Sequence, residues 1–386
     1  MQTGKHKKSY YLCFLIMSDR KLQSIVGCLL GTAVGEALGL PYQGLSKNKI
    51  YKFATPITGH SLIFNKGMIS TNTEHTCMVA QSLIVSGGDE AKFTHSLAWR
   101  LRFSLLGLPG GISLATLKSI FKLWQFSSSD APKRAGKAHR GINSADNKAA
   151  ARSAIIGVCY GDNQEKLCSL VKASTLITHN NSKAELGAIA VAVAAYLASR
   201  QAWVSPQDYY QTLQNYLSTR SAKSLEIETA AFLSIIQQAC RSAEKKETGV
   251  AFANKSANKT GVSSYVYDSI PLVIQIWLRY QDSYSNGVRE IIYLGGNTDT
   301  TAAILGGIIG SAVGQAGISK KWLDNILDFP RSLNWIESLG ERLAKTCEEG
   351  ITQPALFLAF YLIPLRNFLF WAVILFHLFY RLIPPY

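Results

Sequence analysis

Charged residues are scarce in this sequence. Asp, Glu, Lys and Arg make up 17% of the 386 residues, hydrophobic residues make up 47%, and there are only 11 prolines. Disordered chains have little apolar material and much charge, and collagen-like chains need abundant proline, so the composition excludes both classes. A chain of this length can bury a large hydrophobic core, either as one large domain or as two.

Acidic residues are the scarcer kind of charge. The 40 basic residues outnumber the 25 acidic ones, which gives a formal net charge of +15. A basic surplus attracts phosphates, nucleic acid and anionic lipid alike, and its sign alone does not choose among them. We expect no specific nucleic-acid partner.

Paired cysteines are missing as well. The seven cysteines are scattered along the chain, and no two of them form a CxxC pair. This distribution disfavours both a zinc ribbon and a disulfide framework, and it suits a reduced environment. We therefore expect a cytoplasmic protein.

Alternating strand patterns are rare between residues 19 and 349. Apolar residues recur there at three- and four-residue intervals, for example in the runs 184–200, 207–218, 226–243 and 269–279. That spacing predicts amphipathic helices. No fixed-period repeat is present, so we predict one compact, multi-helix, all-α domain over residues 19–349.

Residues 1–18 are predicted to be an N-terminal extension. Basic residues precede a short apolar run at residues 10–17, but no small-residue cleavage site follows, so the resemblance to a secretory signal is superficial. Ser18 or Asp19 is instead predicted to cap the first helix. Met17 lies directly before this cap and is an alternative start of translation.

Residues 350–386 are predicted to be an apolar extension. Within residues 355–380 the only Asp, Glu, Lys or Arg is Arg366, which follows Pro364 closely. The run is long enough for a bilayer, which needs about 20 apolar residues. However, a central arginine costs at least ~2.5 kcal/mol on insertion. We favour association with anionic membrane, peripheral or tail-anchored, as an interfacial helix or re-entrant hairpin. The alternative is a pair of core helices that covers the body.

Two glycine ladders are present. Gly27, Gly31, Gly35 and Gly39 are spaced four apart, and the same spacing joins Ala302, Gly306, Gly310 and Gly314. Small residues along one stripe of a helix let another backbone approach closely. The ladders predict two close-packed central helices, and a transmembrane pair is the alternative.

Each ladder lies beside a polar cluster. Residues 70–76 follow the first ladder, and residues 295–301 precede the second. Short oxygen-bearing side chains at a helix start can cap the helix, hold an anion or ligate a hard cation. Capping alone is the simpler explanation for either cluster taken by itself.

Six motifs in order resemble those of the ADP-ribosylglycohydrolase family, which has the fold of the dinitrogenase-reductase-activating glycohydrolase. Residues 27–43 resemble its opening helix with Gly-Asp-Ala-Leu-Gly, and residues 70–74 resemble its Thr-Asp-Asp-Thr-Glu motif. Residues 147–158 resemble its Asn-Gly-x-Ala-Met-Arg segment, and residues 178–179 resemble its Thr-His segment. Residues 261–271 resemble the stretch before its last motif, and residues 295–303 resemble that motif, Gly-Gly-Asp-Thr-Asp-Thr. The resemblance covers about residues 20–345 and implies an all-α fold.

The resemblance also implies a function and a site. Family members hold two divalent metals, usually Mg²⁺ or Mn²⁺, at the ribose of ADP-ribose, and they hydrolyse its glycosidic bond to an acceptor. By resemblance, the metal-ligand positions are Ser70, Thr71, Asn72, Asn297, Asp299 and Thr300; the catalytic positions are Glu36, Gln43 and Asp299; and the substrate-binding positions are Asn147, Arg152, His179, Gly295 and Gly296.

The chain departs from the family pattern where metals need negative charge. Thr71, Asn72 and Asn297 stand where the family has aspartates, and Gln43 stands where it has a glutamate. Hard dications draw most of their binding energy from carboxylates. We therefore expect the pocket to persist with weakened or no metal binding.

Two functional hypotheses follow. The first is a hydrolase that cleaves the bond between ADP-ribose and an acceptor, with weak or altered metal use. The second is a membrane-tethered pseudoenzyme that binds ADP-ribose or an ADP-ribosylated substrate without turnover. A membrane transporter or scaffold is a third, supported only by the apolar runs. His75 and His179 are either acid–base groups or structural, and a basic loop either steers a polyphosphate or is simply solvated: Lys133, Arg134, Lys137, His139 and Arg140.

Overall fold

The structure, a computed structural model, describes residues 3–54, 56–107, 109–125, 141–218, 223–255 and 260–380. The basic loop residues Lys133, Arg134, Lys137, His139 and Arg140 lie outside these ranges. Within them the fold is all-α, as predicted, and β-structure is limited to isolated bridges. The helices are α1 (Thr3–Gly39), α2 (Lys47–Phe53), α3 (Thr71–Ser86), α4 (Glu90–Ser104), α5 (Leu114–Gln125), α6 (Lys148–Ala151), α7 (Ala154–Tyr160), α8 (Gln164–Thr178), α9 (Ser182–Arg200), α10 (Pro206–Leu217), α11 (Lys223–Glu244), α12 (Gly249–Asn254), α13 (Val266–Arg279), α14 (Tyr284–Tyr293), α15 (Thr298–Val313), α16 (Lys320–Leu323), α17 (Leu333–Glu349) and α18 (Ile363–Tyr380).

The four helical runs read from apolar spacing are confirmed as α9, α10, α11 and α13. Local side chains set their ends. The side chain of Asn181 accepts a hydrogen bond from the backbone N–H of Lys183 and starts α9, while Ser205 and Pro206 start α10. The long helix α9 is buried against α7 and α15.

The predicted helix start at Ser18 or Asp19 is wrong. α1 continues through both positions from Thr3 to Gly39. The physical reason is that residues 5–17 contain neither proline nor glycine, so nothing in the backbone stops the helix before Ser18.

The two glycine ladders face each other, which confirms the predicted pair of central helices. A Cβ atom built on Gly31 would lie 2.2 Å from the carbonyl oxygen of Gly306, and one built on Gly27 would lie 2.2 Å from that of Gly310. α1 and α15 therefore pack backbone against backbone in the centre of the core. The segment Asp19–Tyr42 is long and apolar enough for a bilayer, yet its 18-residue apolar window lies wholly inside the protein.

The C-terminal helix α18 lies on the body along one face. Arg366 is 1% exposed, forms an ion pair with Asp328 and donates a hydrogen bond to the carbonyl oxygen of Ile69 at 2.6 Å. Phe370 packs on Gly110 and lies in a small cluster with the buried Leu40, Leu62 and Met68. The other face is open, because only 17% of the apolar window Phe360–Phe379 is buried. The tail is thus neither a free helix nor a fully buried core pair.

Candidate functional site

Three helix starts bring the predicted metal-site residues together. Ser70, Thr71 and Asn72 lie at the start of α3, and Asn297, Asp299 and Thr300 lie at the start of α15. The Asn72 side-chain nitrogen lies 3.4 Å from the Thr300 hydroxyl. The start of α6 adds Asn147, whose Nδ2 donates to Asn297 Oδ1 at 2.9 Å. These residues form one buried polar cluster, which we call the helix-start cluster.

Glu36 supports this cluster from the last part of α1. Its carboxylate is fully buried and accepts hydrogen bonds from the backbone N–H groups of Ser70, Asn72 and Thr73, at 2.8, 2.9 and 3.0 Å. The hydroxyls of Ser70 and Thr73 donate to it as well, at 2.5 and 2.6 Å. Both oxygens are therefore committed to capping α3, which favours a positioning role. A catalytic role for Glu36 stays a prediction.

Lys148 is the charged centre of the helix-start cluster, and the sequence analysis missed it. Its ammonium donates to Asn72 Oδ1 at 2.9 Å and to Thr300 Oγ1 at 3.1 Å, and it lies 3.9 Å from Asp299 Oδ2. The signal in the sequence was a lone lysine between Asn147 and three alanines. The Asn-Gly-x-Ala-Met-Arg pattern of the family has glycine at this position.

The residues present do not fit a pair of divalent metals. Asp299 is the only carboxylate among the six metal-ligand positions, and its Oδ1 lies 3.4 Å from Asn297 Nδ2 and 3.3 Å from the Thr300 hydroxyl. Lys148 adds a positive charge where dications need negative charge. In the described part of the chain, no group of three or more His, Cys, Asp and Glu side chains is placed to hold a metal ion.

Asp146 and His179 form a second buried pair beside the cluster. His179 Nε2 and Asp146 Oδ1 are 2.6 Å apart, and His179 Nδ1 lies 2.7 Å from the Thr178 hydroxyl. Burial would raise the pKa of Asp146, but the hydrogen bond and charge of His179, helped by Lys148, lower it to about 2. Both ring nitrogens of His179 are thus held by the protein, which orients the ring. Sequence analysis overlooked Asp146, although it directly precedes Asn147.

Arg152 and His75 are buried more deeply than Lys148 and Asp146. Arg152 donates to Ser174 and Thr178 and so ties α6 to the end of α8, while its Nη1 is buried without a hydrogen-bond partner among the described residues. Burial lowers the pKa of Arg152 to about 10, so it remains a cation at neutral pH. Burial, then the charges of Arg152 and Lys148, lower the pKa of His75 well below its usual 6.5. His75 is therefore neutral at pH 7. The predicted role of Arg152 in substrate binding stays a prediction.

Gly295 and Gly296 connect the cluster to two neighbouring loops. Both have positive φ angles, of 72° and 76°, and a Cβ on Gly296 would lie 2.2 Å from the carbonyl oxygen of Val262. The backbone N–H of Gly44 donates to the Gly296 carbonyl oxygen at 2.9 Å. Gln43 is the neighbour of Gly44 but is itself exposed, outside the buried cluster. Binding by these glycines and catalysis by Gln43 stay predictions.

A network of four charged side chains links the site to the tail. Arg331 Nη1 donates to Glu74 Oε1 at 2.9 Å, and Arg366 Nη1 lies 3.8 Å from the same oxygen. Arg366 also pairs with Asp328, whose carboxylate accepts from the backbone N–H of Ile69 at 3.3 Å. Burial raises the pKa of Asp328 to about 6, outweighing the attraction of Arg366. Arg366 thereby attaches the tail to the body at Ile69, the residue before Ser70.

Comparison with known proteins extends the agreement to nearly the whole chain. The chain is 27% identical over 349 residues to ADP-ribosylhydrolase ARH3 of Gallus gallus, covering 82% of this chain and 92% of that protein. It is 24% identical over 332 residues to ADP-ribosylhydrolase ARH3 of Homo sapiens, covering 78% and 89% respectively. A solved structure described as an ADP-ribosylglycohydrolase-related protein complex shares the fold, with a TM-score of 0.58 at 19% identity, and the match covers 85% of this chain and 99% of that one.

A family model for ADP-ribosylglycohydrolase matches residues 17–352. That range contains every motif on which the resemblance was based and ends where the apolar tail begins. Because the match extends over most of the sequence, the chain belongs to the ADP-ribosylglycohydrolase family.

Proposed function

We propose that the protein recognises ADP-ribose, or the ADP-ribosyl group of a modified substrate, and that it binds this group rather than hydrolysing it by a metal-dependent route. The observation that carries the proposal is the charge of the helix-start cluster. Five of the six metal-ligand positions are neutral, and Asp299 already faces Lys148 at 3.9 Å.

The shape of the family site supports binding. Asn72 and Asn297 keep the size and hydrogen-bonding capacity of aspartate while lacking its charge, and both are held by partners inside the cluster. Some exposed surface, about a tenth of each side chain, remains on Lys148 and Asn297 in the cluster and on Asp146 beside it. A ligand would reach the cluster from the side on which these three lie.

Calorimetry of the full chain with ADP-ribose, with and without Mg²⁺ and a chelator, tests the proposal. We expect binding that does not respond to Mg²⁺, and no release of ADP-ribose from ADP-ribosylated arginine or serine peptides. Asn147→Ala should weaken binding, whereas Asn48→Ala, an exposed change outside the cluster, should not. Chelator-sensitive affinity or Mg²⁺-dependent turnover would contradict the binding role.

Hydrolysis of the bond between ADP-ribose and an acceptor is the second candidate. It is favoured by two carboxylates: Asp299, which matches a family aspartate, and Asp146, which is held ionised by His179. Anionic groups stabilise an oxocarbenium-like ribosyl centre. If this candidate is right, Asp299→Asn abolishes ADP-ribose release while Asp162→Asn, at the exposed pair with Arg200, leaves it unchanged.

We further propose that the tail attaches this cytoplasmic protein to the surface of an anionic membrane. The outward face of α18 presents the large apolar side chains of Phe368, Trp371 and Phe376, which are 69%, 42% and 60% exposed. A neighbouring apolar surface on the body continues from Trp371 to Leu106, Phe121 and Trp124, around a cavity of about 670 Å³. An exposed apolar patch of this kind marks an interaction surface.

Flotation with liposomes tests the attachment. We expect the full chain to bind vesicles that contain phosphatidylserine more tightly than neutral vesicles, because the net charge is +15. Protein that stays monodisperse without detergent and does not float with either vesicle would argue against a membrane role.

A further inference from the structure

Lys148 enters the helix-start cluster because the backbone around it is fixed on both sides. The N–H of Asn147 donates to the carbonyl oxygen of Ser264 at 2.9 Å, and the N–H of Lys148 donates to Asp146 Oδ1 at 3.0 Å. These bonds start the short helix α6 and direct the lysine side chain inward, where it is 91% buried.

The ammonium contacts three of the six positions that match metal ligands. Two neutral oxygens, on Asn72 and Thr300, accept its hydrogen bonds, and the carboxylate of Asp299 balances its charge. The charges of the ammonium and of this carboxylate cancel. A divalent cation added beside them would bring two further positive charges, while the carboxylate of Glu36 already accepts hydrogen bonds from Ser70, Asn72 and Thr73 with both of its oxygens.

We infer that Lys148 is a resident cation that takes the place of the metal ions in this site. It holds the start of α3 and the start of α15 together through Asn72 and Thr300, as a shared cation would. It also excludes divalent metals, by occupying the oxygens that would ligate them and by repelling a second cation. Lys148 is therefore a positioning and specificity-determining residue.

The same arrangement specifies a ligand rich in hydroxyl groups. An ammonium has three N–H groups, two of which point to Asn72 and Thr300, so one is left to donate to a ligand oxygen. Asn147 Oδ1 is buried and has no hydrogen-bond partner among the described residues, so it can accept a hydrogen bond from a ligand hydroxyl. A donor on Lys148 and an acceptor on the preceding residue, Asn147, suit a ribose diol. This part of the inference rests on the proposed recognition of ADP-ribose.

The first experiment measures Mn²⁺ binding by electron paramagnetic resonance and does not depend on the ligand. We expect no tight Mn²⁺ binding to the wild-type chain, and none to the variant Thr71→Asp, Asn72→Asp, Asn297→Asp, because Lys148 remains. Adding Lys148→Gly to that variant should create tight binding. The inference is overturned if the triple variant binds Mn²⁺ as tightly as the quadruple variant, or if the quadruple variant is folded and binds none.

A second measurement uses only the wild-type chain, so it stands even if a multiple variant fails to fold. Amine labelling followed by mass spectrometry should modify Lys148 much more slowly than the exposed Lys172, and excess Mn²⁺ should leave both rates unchanged. Faster labelling of Lys148 in the presence of Mn²⁺ would show that the metal displaces it, and the inference would fail.

The third measurement is ADP-ribose affinity. Lys148→Met keeps the aliphatic stem but removes the charge, and it should weaken ADP-ribose binding about tenfold, with Lys172→Met as the matched control. Equal affinity of Lys148→Met and wild type would overturn the ligand part. If the wild-type chain binds no ADP-ribose, the proposed function fails, while the Mn²⁺ and labelling results still decide the role of Lys148.

Discussion

Three helices in the described part of the chain have the length and composition of membrane spans, and two of them are buried to opposite extents. The 18-residue apolar window within Asp19–Tyr42 is wholly buried, whereas only 17% of the window within Phe360–Phe379 is buried. The exposed window is the more hydrophobic of the two, so hydrophobicity does not explain the difference. The first segment carries a glycine stripe that another backbone can meet, and the second carries large aromatic side chains on its outward face. Surface shape, rather than apolar content, separates a core helix from an interaction surface.

The largest effect is expected where the core segment is closest to its partner. Gly31→Leu should cost several kcal/mol of unfolding free energy, more than the ~1–3 kcal/mol usual for overpacking, because the Gly306 carbonyl oxygen would lie 2.2 Å from the new Cβ. Urea unfolding measures the loss. Gly59→Leu is the control, since a Cβ there would meet only the Trp322 side chain, at 4.0 Å. Equal losses at both positions would mean that the ladder is not a tight contact.

The next effect concerns the buried end of the tail segment. Arg366→Met should destabilise the protein by about 3–5 kcal/mol, because Asp328 and Glu74 are left buried with less compensation. Lys345→Met, which removes a surface ion pair with Glu349 at 4.0 Å, should cost less than about 1 kcal/mol. Thermal unfolding distinguishes the two. Similar losses would indicate that α18 is not anchored through Arg366.

Ionisation inside the body should give an effect of intermediate size. The folded pKa of Asp146 is about 2, below its ordinary 3.8, so its ionised form stabilises the fold above pH 4 and this contribution is lost as the pH falls from about 4 to 2. Asp146→Asn should therefore cost roughly 2 kcal/mol at pH 6 and about half as much at pH 3. Urea titrations at both pH values test this, with Asp162→Asn, at an exposed carboxylate, as the control. A loss that is independent of pH would contradict the role of ionisation.

The smallest effect on stability is expected on the outward face of the tail. Phe368→Ser with Phe376→Ser should change the free energy of unfolding by no more than about 0.5 kcal/mol, because both side chains are mostly exposed. Binding to anionic liposomes should nevertheless fall strongly. Phe370→Ser, on the same helix but 1% exposed, should instead destabilise the fold. Unchanged liposome binding in the double variant would remove the face from consideration as a membrane surface.

Much of the fold was predictable because it depends on local spacing. The four-residue interval of Gly27, Gly31 and Gly35 predicts a close helix contact, and Ala302, Gly306 and Gly310 identify the partner. Helix ends were less predictable, since the start of α1 depends on whether the residues before Ser18 continue the helix, and a plausible cap does not stop one.

The chemistry of the site was only partly predictable. Motif order placed Asn72, Asn297 and Asp299 together, but the contacts of Lys148 cross 76 and 152 positions of sequence. A contact between residues so far apart in the sequence leaves no local sequence pattern from which to predict it. Arg366 was interpreted as an obstacle to membrane insertion, whereas its partner Asp328, 38 positions away, accommodates it within the protein. A charge in an apolar run argues against burial when it has no partner and is compatible with burial when it has one, and only the fold shows which case applies.

The last rung of the glycine ladder connects scaffold and chemistry. The hydroxyl of Thr298 donates to the carbonyl oxygen of Gly39 at 2.8 Å, and these residues lie three positions after Glu36 and one before Asp299. The distance between these two helix ends is therefore set by contacts to the main chain. Side chains in the cluster between them can change, from aspartate to asparagine or from glycine to lysine, while the distance between the helix ends stays the same.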